Sequence, residues 1–138
     1  METFLSCWIE KKKRNVFYSL FNEWDRRFLT CDEKRIYIFT EKKQPSHLIL
    51  LHDIDFILSE NECEFTIITS KRSFMLRVIT NEQRDTCVQF ITSMKKKVEE
   101  EKKQRLEKAK EDLNNYVSSL RLESIFRHFR NENDSETE

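Results

Sequence analysis

The chain has no glycine and a single proline, Pro45, in 138 residues. Glycine lets a backbone wrap closely around a phosphate, so neither a Walker loop nor a glycine-rich dinucleotide turn can be built here. The turns fall instead to Asn15, Asn22, Asp32, Ser59-Glu60-Asn61-Glu62 and Ser70-Lys71-Arg72-Ser73. The four cysteines, Cys7, Cys31, Cys63 and Cys87, include no Cys-x-x-Cys pair, and with the histidines they form no zinc pattern. Spaced this way they read as small core hydrophobes of a reduced, intracellular protein. No run of about 18 apolar residues, no signal peptide and no Met-Gly start is present. The expectation is a soluble cytoplasmic protein that is free to sit peripherally at a membrane. A formal charge of zero argues against a nucleic-acid binder.

What is there is unevenly spread. Apolar residues make up 38% of the chain and charged residues 36%, a thin supply of core for one domain. Most aromatics and aliphatics fall in residues 1–94, whereas 95–112 is almost wholly Lys, Glu, Gln and Arg. Residues 1–97 hold 17 Lys and Arg against 14 Asp and Glu; residues 98–138 hold 8 against 11. The basic excess is local, at Lys11-Lys12-Lys13-Arg14.

Strand signals recur near 4–11, 24–31, 35–40, 47–51, 53–58, 64–69 and 73–79, with polar turns between them. Seven short strands so closely spaced predict a small antiparallel barrel or sandwich. In the second, alternation puts Asp25, Arg27, Leu29 and Cys31 on one face and Trp24, Arg26, Phe28 and Thr30 on the other. The first face starts charged and turns apolar, as a strand does when it runs from an open rim into a core. At Thr80-Asn81-Glu82-Gln83 the period changes: Thr80 or Asn81 can cap a helix whose stripe is Val88, Ile91 and Val98, flanked by Cys87, Phe90 and Met94. The helix is expected to run on as a solvated shaft through Asp112. A second stripe follows at Leu113, Tyr116, Val117 and Leu120, continued by Leu122, Ile125, Phe126 and Phe129. So apolar an end wants a surface: the barrel itself, another copy, or a protein partner. The expected division is a domain over 1–97, a helical extension over 98–130, and a disordered acidic tail over 131–138.

Four segments carry a family resemblance. Trp8-Ile9-Glu10-Lys11, Trp24-Asp25-Arg26-Arg27-Phe28-Leu29, Ile36-Tyr37-Ile38-Phe39 and Leu48-Ile49-Leu50-Leu51-His52-Asp53-Ile54 resemble, in order, the first four strands of the pleckstrin homology (PH) domain. The match covers roughly residues 4–97. It implies a mainly β fold with a C-terminal α element: a seven-stranded antiparallel PH-like barrel capped by a helix, here prolonged into a long charged one. Two departures stand out. Cys87 occupies the place of a tryptophan that usually packs across the barrel mouth, leaving compensating bulk to Phe90. Asp25 stands where headgroup-binding members carry a cation.

Phosphorylated headgroups need convergent Lys and Arg donors. Lys11, Lys12, Lys13, Arg14 and Arg27 are the candidates to supply them, with Tyr37 offering a hydroxyl; of these, Lys11 and Arg27 fall at positions the resemblance itself implies. Beside the basic run, Phe17, Tyr18, Leu20 and Phe21 suit insertion into a membrane interface, or packing back on the barrel. The expected function is a non-enzymatic adaptor. It would meet an anionic phospholipid or phosphoinositide membrane at its rim and a protein, or itself, through Leu113, Tyr116, Val117, Leu120, Ile125, Phe126 and Phe129. The alternative is a PH-like protein-interaction module, or a subunit of a larger assembly, with no lipid ligand. Catalysis finds no support: His47, His52 and His128 have no nucleophile or carboxylate at a catalytic spacing, and adjacent His52 and Asp53 would point apart in a strand. No cofactor and no metal are expected.

Overall fold

Apolar residues at every second position, interrupted by polar turns, produce seven strands, and a 3.6-residue period then produces one helix. The computed structural model describes residues 4–13, 23–59 and 61–136, with side chains through residue 130. The strands are β1 (Leu5–Lys12), β2 (Trp24–Cys31), β3 (Arg35–Phe39), β4 (Pro45–Leu50), β5 (Ile54–Leu58), β6 (Glu64–Thr69) and β7 (Ser73–Arg77). The helix α1 spans Asn81–Glu136, passing the expected limit at Arg130.

All neighbours are antiparallel in one sheet of order β4-β3-β2-β1-β7-β6-β5. The sheet curls over on itself: His47 of β4 meets Phe74 of β7, ring centroids 5.4 Å apart, although β3, β2 and β1 lie between them in the hydrogen-bonded order. The enclosed core holds Ile9, Leu29, Ile36, Ile38, Phe65 and Leu76, with Cys87 and Ile91 entering from one face of α1. Val88, Phe90, Met94 and Val98 pack half-buried around them.

The missing glycine leaves its mark in two turns. Lys43, between β3 and β4, has φ 63°, and Cys63, between β5 and β6, has φ 60°. Both sit in the left-handed region, where a side chain costs about 1–2 kcal/mol. Hydrogen bonds hold the conformations in place. Thr40 N–H donates to Gln44 O (2.8 Å) and Lys43 N–H to Thr40 O (2.9 Å), while Cys63 N–H donates to Asn81 Oδ1 (2.7 Å). Thr80 is the helix cap, accepting from Gln83 N–H at 3.1 Å. Asp32 ties the β2–β3 turn by accepting from the N–H groups of Lys34 and Arg35 at 2.8 and 2.7 Å.

Leu51 and Asp53, expected at the end of one strand and the start of the next, instead join His52 in a single 3-10 turn, Leu51–Asp53. The turn brings His52 Nε2 within 3.2 Å of Asp53 Oδ1, correcting the expectation that these side chains point apart. Burying Leu51 fixes the turn and leaves both polar neighbours exposed.

The chain divides into two units, Met1–Glu99 and Glu100–Glu138. The first contains the sheet and the core face of α1. In the second, every residue from 100 to 130 is exposed.

Candidate functional site: a cationic barrel rim

Antiparallel order brings the end of β1, the start of β2, the start of β4 and the β6–β7 turn to one end of the sheet. Along β1, Ile9 and Lys11 face inward. Lys11 is only 7% exposed, the one charged residue buried among those described. It stands opposite Asp25 in the β1–β2 register, and Ile9 stands opposite Arg27. The face deduced from strand alternation is therefore the inner one: Asp25 and Arg27 lie at the rim, with Leu29 and Cys31 fully buried beneath them.

Asp25 holds two cations. Its carboxylate lies 3.7 Å from Lys13 Nζ and 3.6 Å from Arg27 Nη2. Arg27 Nη1 also donates to Arg26 O at 2.9 Å, and its Nε is buried with no hydrogen-bond partner among the described residues. From the opposite side, the Arg72 guanidinium lies over the Phe74 ring, 4.2 Å from its centroid, while His47 meets the same ring edge-on. His47, Arg72 and Phe74 line a groove of about 210 Å³ that also takes in Ser70 and Lys71.

The titration of these groups reflects how closely they are gathered. Burial holds the Lys11 ammonium below its ordinary range; Arg72 and Arg27 lower it further, and Asp25 only partly offsets them. Burial likewise lowers His47, followed by Lys11, Arg72 and Arg27. Three permanent or near-permanent cations and a histidine thus share one field, opposed by one carboxylate.

Only part of the site expected from sequence comes together here. Lys11, Lys13 and Arg27 do. Lys12 lies opposite Trp24 on the outer face of the sheet, since strand neighbours point to opposite sides. Tyr37 is also on the outer face, stacked on Phe39 with centroids 6.1 Å apart, its hydroxyl accepting from Arg35 Nη1 at 3.4 Å. The β3 parity that buries Ile36 and Ile38 turns it away from the rim. Arg14, Phe17, Tyr18, Leu20 and Phe21 lie outside the described residues. Sequence reasoning missed His47 and Arg72. Arg72 reads as turn material, and counting alternating strands puts the β6–β7 turn at the far end; the antiparallel pairing of β7 with β1 brings it to the end of β1 instead.

The second unit offers a different kind of surface. Leu113, Tyr116, Val117, Leu120, Ile125, Phe126 and Phe129 are all exposed, from 37% at Val117 to 62% at Tyr116.

No family model and no curated protein matches the chain. Solved structures do. The N-terminal PH domain of human ARAP2 is similar over 69% of this chain and 81% of its own, at 20% identity and a TM-score of 0.60. The PH domain of human oxysterol-binding protein-related protein 11 matches 69% of this chain and 82% of its own, at 15% identity and a TM-score of 0.56. The Slm1 PH domain in complex with inositol-4-phosphate matches 66% of this chain and 94% of its own, at 9% identity and a TM-score of 0.54.

The fold is that of a PH domain.

Within the PH-like domain, Cys87 is buried where the resemblance expects tryptophan, and the half-buried Phe90 packs beside the core. Asp25 keeps its place on the inner face, now as an ion-pair partner of Lys13 and Arg27. Among the described residues no group of His, Cys, Asp and Glu could hold a metal ion, and no helix is long and apolar enough to cross a membrane.

Proposed function

We propose that this protein is a non-enzymatic membrane-recruitment module. In this reading the PH-like rim binds the phosphate of an anionic lipid or phosphoinositide headgroup, and the C-terminal helix engages a protein partner or a second copy. One observation carries the headgroup reading: a buried lysine, Lys11, facing Arg27, Arg72 and His47 with Asp25 as counter-charge. Gathering cations this way is unfavourable in the free protein, and a phosphate relieves it by supplying charge and acceptors together. The Nε of Arg27, a buried donor without a partner among the described residues, is one group such an acceptor would satisfy. That the similar Slm1 domain was solved with inositol-4-phosphate supports the ligand class.

Within this site Lys11 and Arg27 grip the phosphate, Arg72 and His47 close it from the other side of the sheet, and Lys13 joins when a phosphate outcompetes Asp25. The basic run through Arg14 and the apolar Phe17, Tyr18, Leu20 and Phe21 would then meet the bilayer. On the helix, Leu113, Tyr116, Val117, Leu120, Ile125, Phe126 and Phe129 form the partner face.

Co-sedimentation with phosphatidylcholine vesicles, with and without phosphoinositide, tests the headgroup site. Wild type is expected to pellet at low salt and to lose binding as salt rises, while a Lys11→Gln, Arg27→Gln, Arg72→Gln variant stays in solution. Wild type that never pellets sinks the lipid reading and leaves a protein-interaction module. Pelleting that survives the triple change but fails with Phe17→Ser and Phe21→Ser makes insertion the main contact. For the helix, truncation at residue 100 is expected to abolish self-association or partner capture.

A further inference from the structure

We propose that Cys7 and Cys87 are a redox-sensitive thiol pair that closes into a disulfide stapling β1 to α1 within the PH-like domain. Their sulfurs lie 3.7 Å apart although the residues are eighty positions apart in sequence. This is the one sulfur–sulfur contact among the described residues. The other two thiols are engaged with backbone: Cys31 Sγ donates to Asp32 O at 3.4 Å and Cys63 Sγ to Ile79 O at 3.5 Å. Cys7 shares the inner face of β1 with Ile9 and Lys11, and Cys87 projects from the core stripe of α1 with Ile91. Side chains already touching from two packed elements need only small side-chain rotations to reach a bond length of about 2.0 Å.

The chemistry of the pair fits exchange. The thiols hydrogen-bond to each other, which stabilises a single thiolate shared between them. The bond and burial push Cys7 up, while the same bond draws Cys87 down against its burial. Cys31, by contrast, is pushed up to about 12 by burial and by Asp32, and stays a closed thiol. Cys87 is buried and Cys7 half-buried, so an oxidant meets the pair at Cys7.

The oxidant is a small disulfide such as oxidised glutathione. Cys7 passes its proton across the shared hydrogen bond to the Cys87 thiolate, and its sulfur attacks one glutathione sulfur, breaking the S–S bond and releasing one glutathione thiolate. Cys87 then gives up its proton and attacks the Cys7 sulfur of the mixed disulfide, expelling the second glutathione. The sum is one protein disulfide formed, one small disulfide reduced, and two protons passed from protein thiols to glutathione. The closed loop is long, so the staple should restrict the unfolded chain strongly.

The full-length protein, treated with oxidised glutathione and then alkylated in denaturant, is expected to lose two of its four reactive thiols. Its intact mass should fall by two hydrogens, and a proteolytic peptide should join Cys7 to Cys87. Its melting temperature should rise by at least about 5 °C and return on reduction. Cys63→Ser should leave the cross-link intact, while Cys7→Ser and Cys87→Ala should each abolish it. Four thiols still open to alkylation, an unresolved glutathione adduct at Cys7, or a cross-link surviving Cys7→Ser would overturn the proposal. A cross-link without thermal stabilisation would overturn the staple. Mapping the wild-type peptides keeps the test decisive if a variant fails to fold.

Discussion

The two units use the same kinds of apolar residue to opposite ends. In the first, Ile91 is wholly buried and Cys87 nearly so, because the sheet supplies a concave partner for one face of α1. In the second, Leu113 is 60% exposed and Phe126 also 60%, on a stripe with the same helical spacing. Periodicity therefore marks a face that can be buried; whether it is buried depends on a partner surface. The same contrast holds for charge. The lysines of the shaft are solvated, whereas Lys11 is buried beside two arginines and a histidine.

The sharpest way to break this comparison is to truncate both stripes. Ile91→Ala should cost about 3 kcal/mol of unfolding free energy in urea, from lost burial and the cavity left behind. Leu113→Ala should stay within about 0.5 kcal/mol. If both cost the same, the second stripe belongs to the folded core after all.

A smaller effect separates structural from binding charge. Asp25→Asn frees Lys13 and Arg27 from a half-exposed carboxylate. It should tighten phosphoinositide vesicle binding roughly fivefold, about 1 kcal/mol, in a salt titration. Weaker binding would mean that Asp25 orders the site rather than competing for it.

The pH dependence is next. His47 is held below its ordinary value of 6.5, first by burial and then by the facing Lys11, Arg72 and Arg27. The free protein thus keeps it neutral near neutrality, and a bound anion favours the proton. Binding should take up protons and strengthen about threefold as pH falls from about 7.5 to about 6, and His47→Gln should flatten the profile. The sign reverses for the unliganded fold. A base whose folded pKa is depressed costs stability once pH falls below its unfolded value, so the free protein should lose stability in that window.

The smallest change concerns the turns. Lys43→Gly relieves the left-handed conformation but adds freedom to the unfolded chain, so a net gain of about 0.5 kcal/mol is expected. A loss would show that the Lys43 side chain contributes more than its backbone conformation costs.

Much of the fold was legible because its signals are local. The strand alternation of Asp25, Arg27, Leu29 and Cys31 and a helix cap at Thr80 or Asn81 need only neighbours a few residues away; the alternation matches the structure, and the cap is Thr80. The left-handed turns were less legible. Without glycine the positions fall to Lys43 and Cys63, residues that carry no turn signature. The site was half legible. Lys11 and Arg27 follow from strand patterns, but His47 and Arg72 reach them only across the curl of the sheet. Tyr37 erred in the other direction, being near in sequence logic but on the opposite face.

By itself the sequence determined the seven strands and the capped helix, the face of β2 that turns inward below the rim, and the absence of any glycine-built phosphate loop. These follow from periodicity and residue chemistry within short windows. Tertiary structure alone decided which cations share a field, that Asp25 is bound by Lys13 and Arg27, and that Cys7 touches Cys87. Such pairings depend on strand order and on closure of the sheet, which bring together positions up to eighty residues apart.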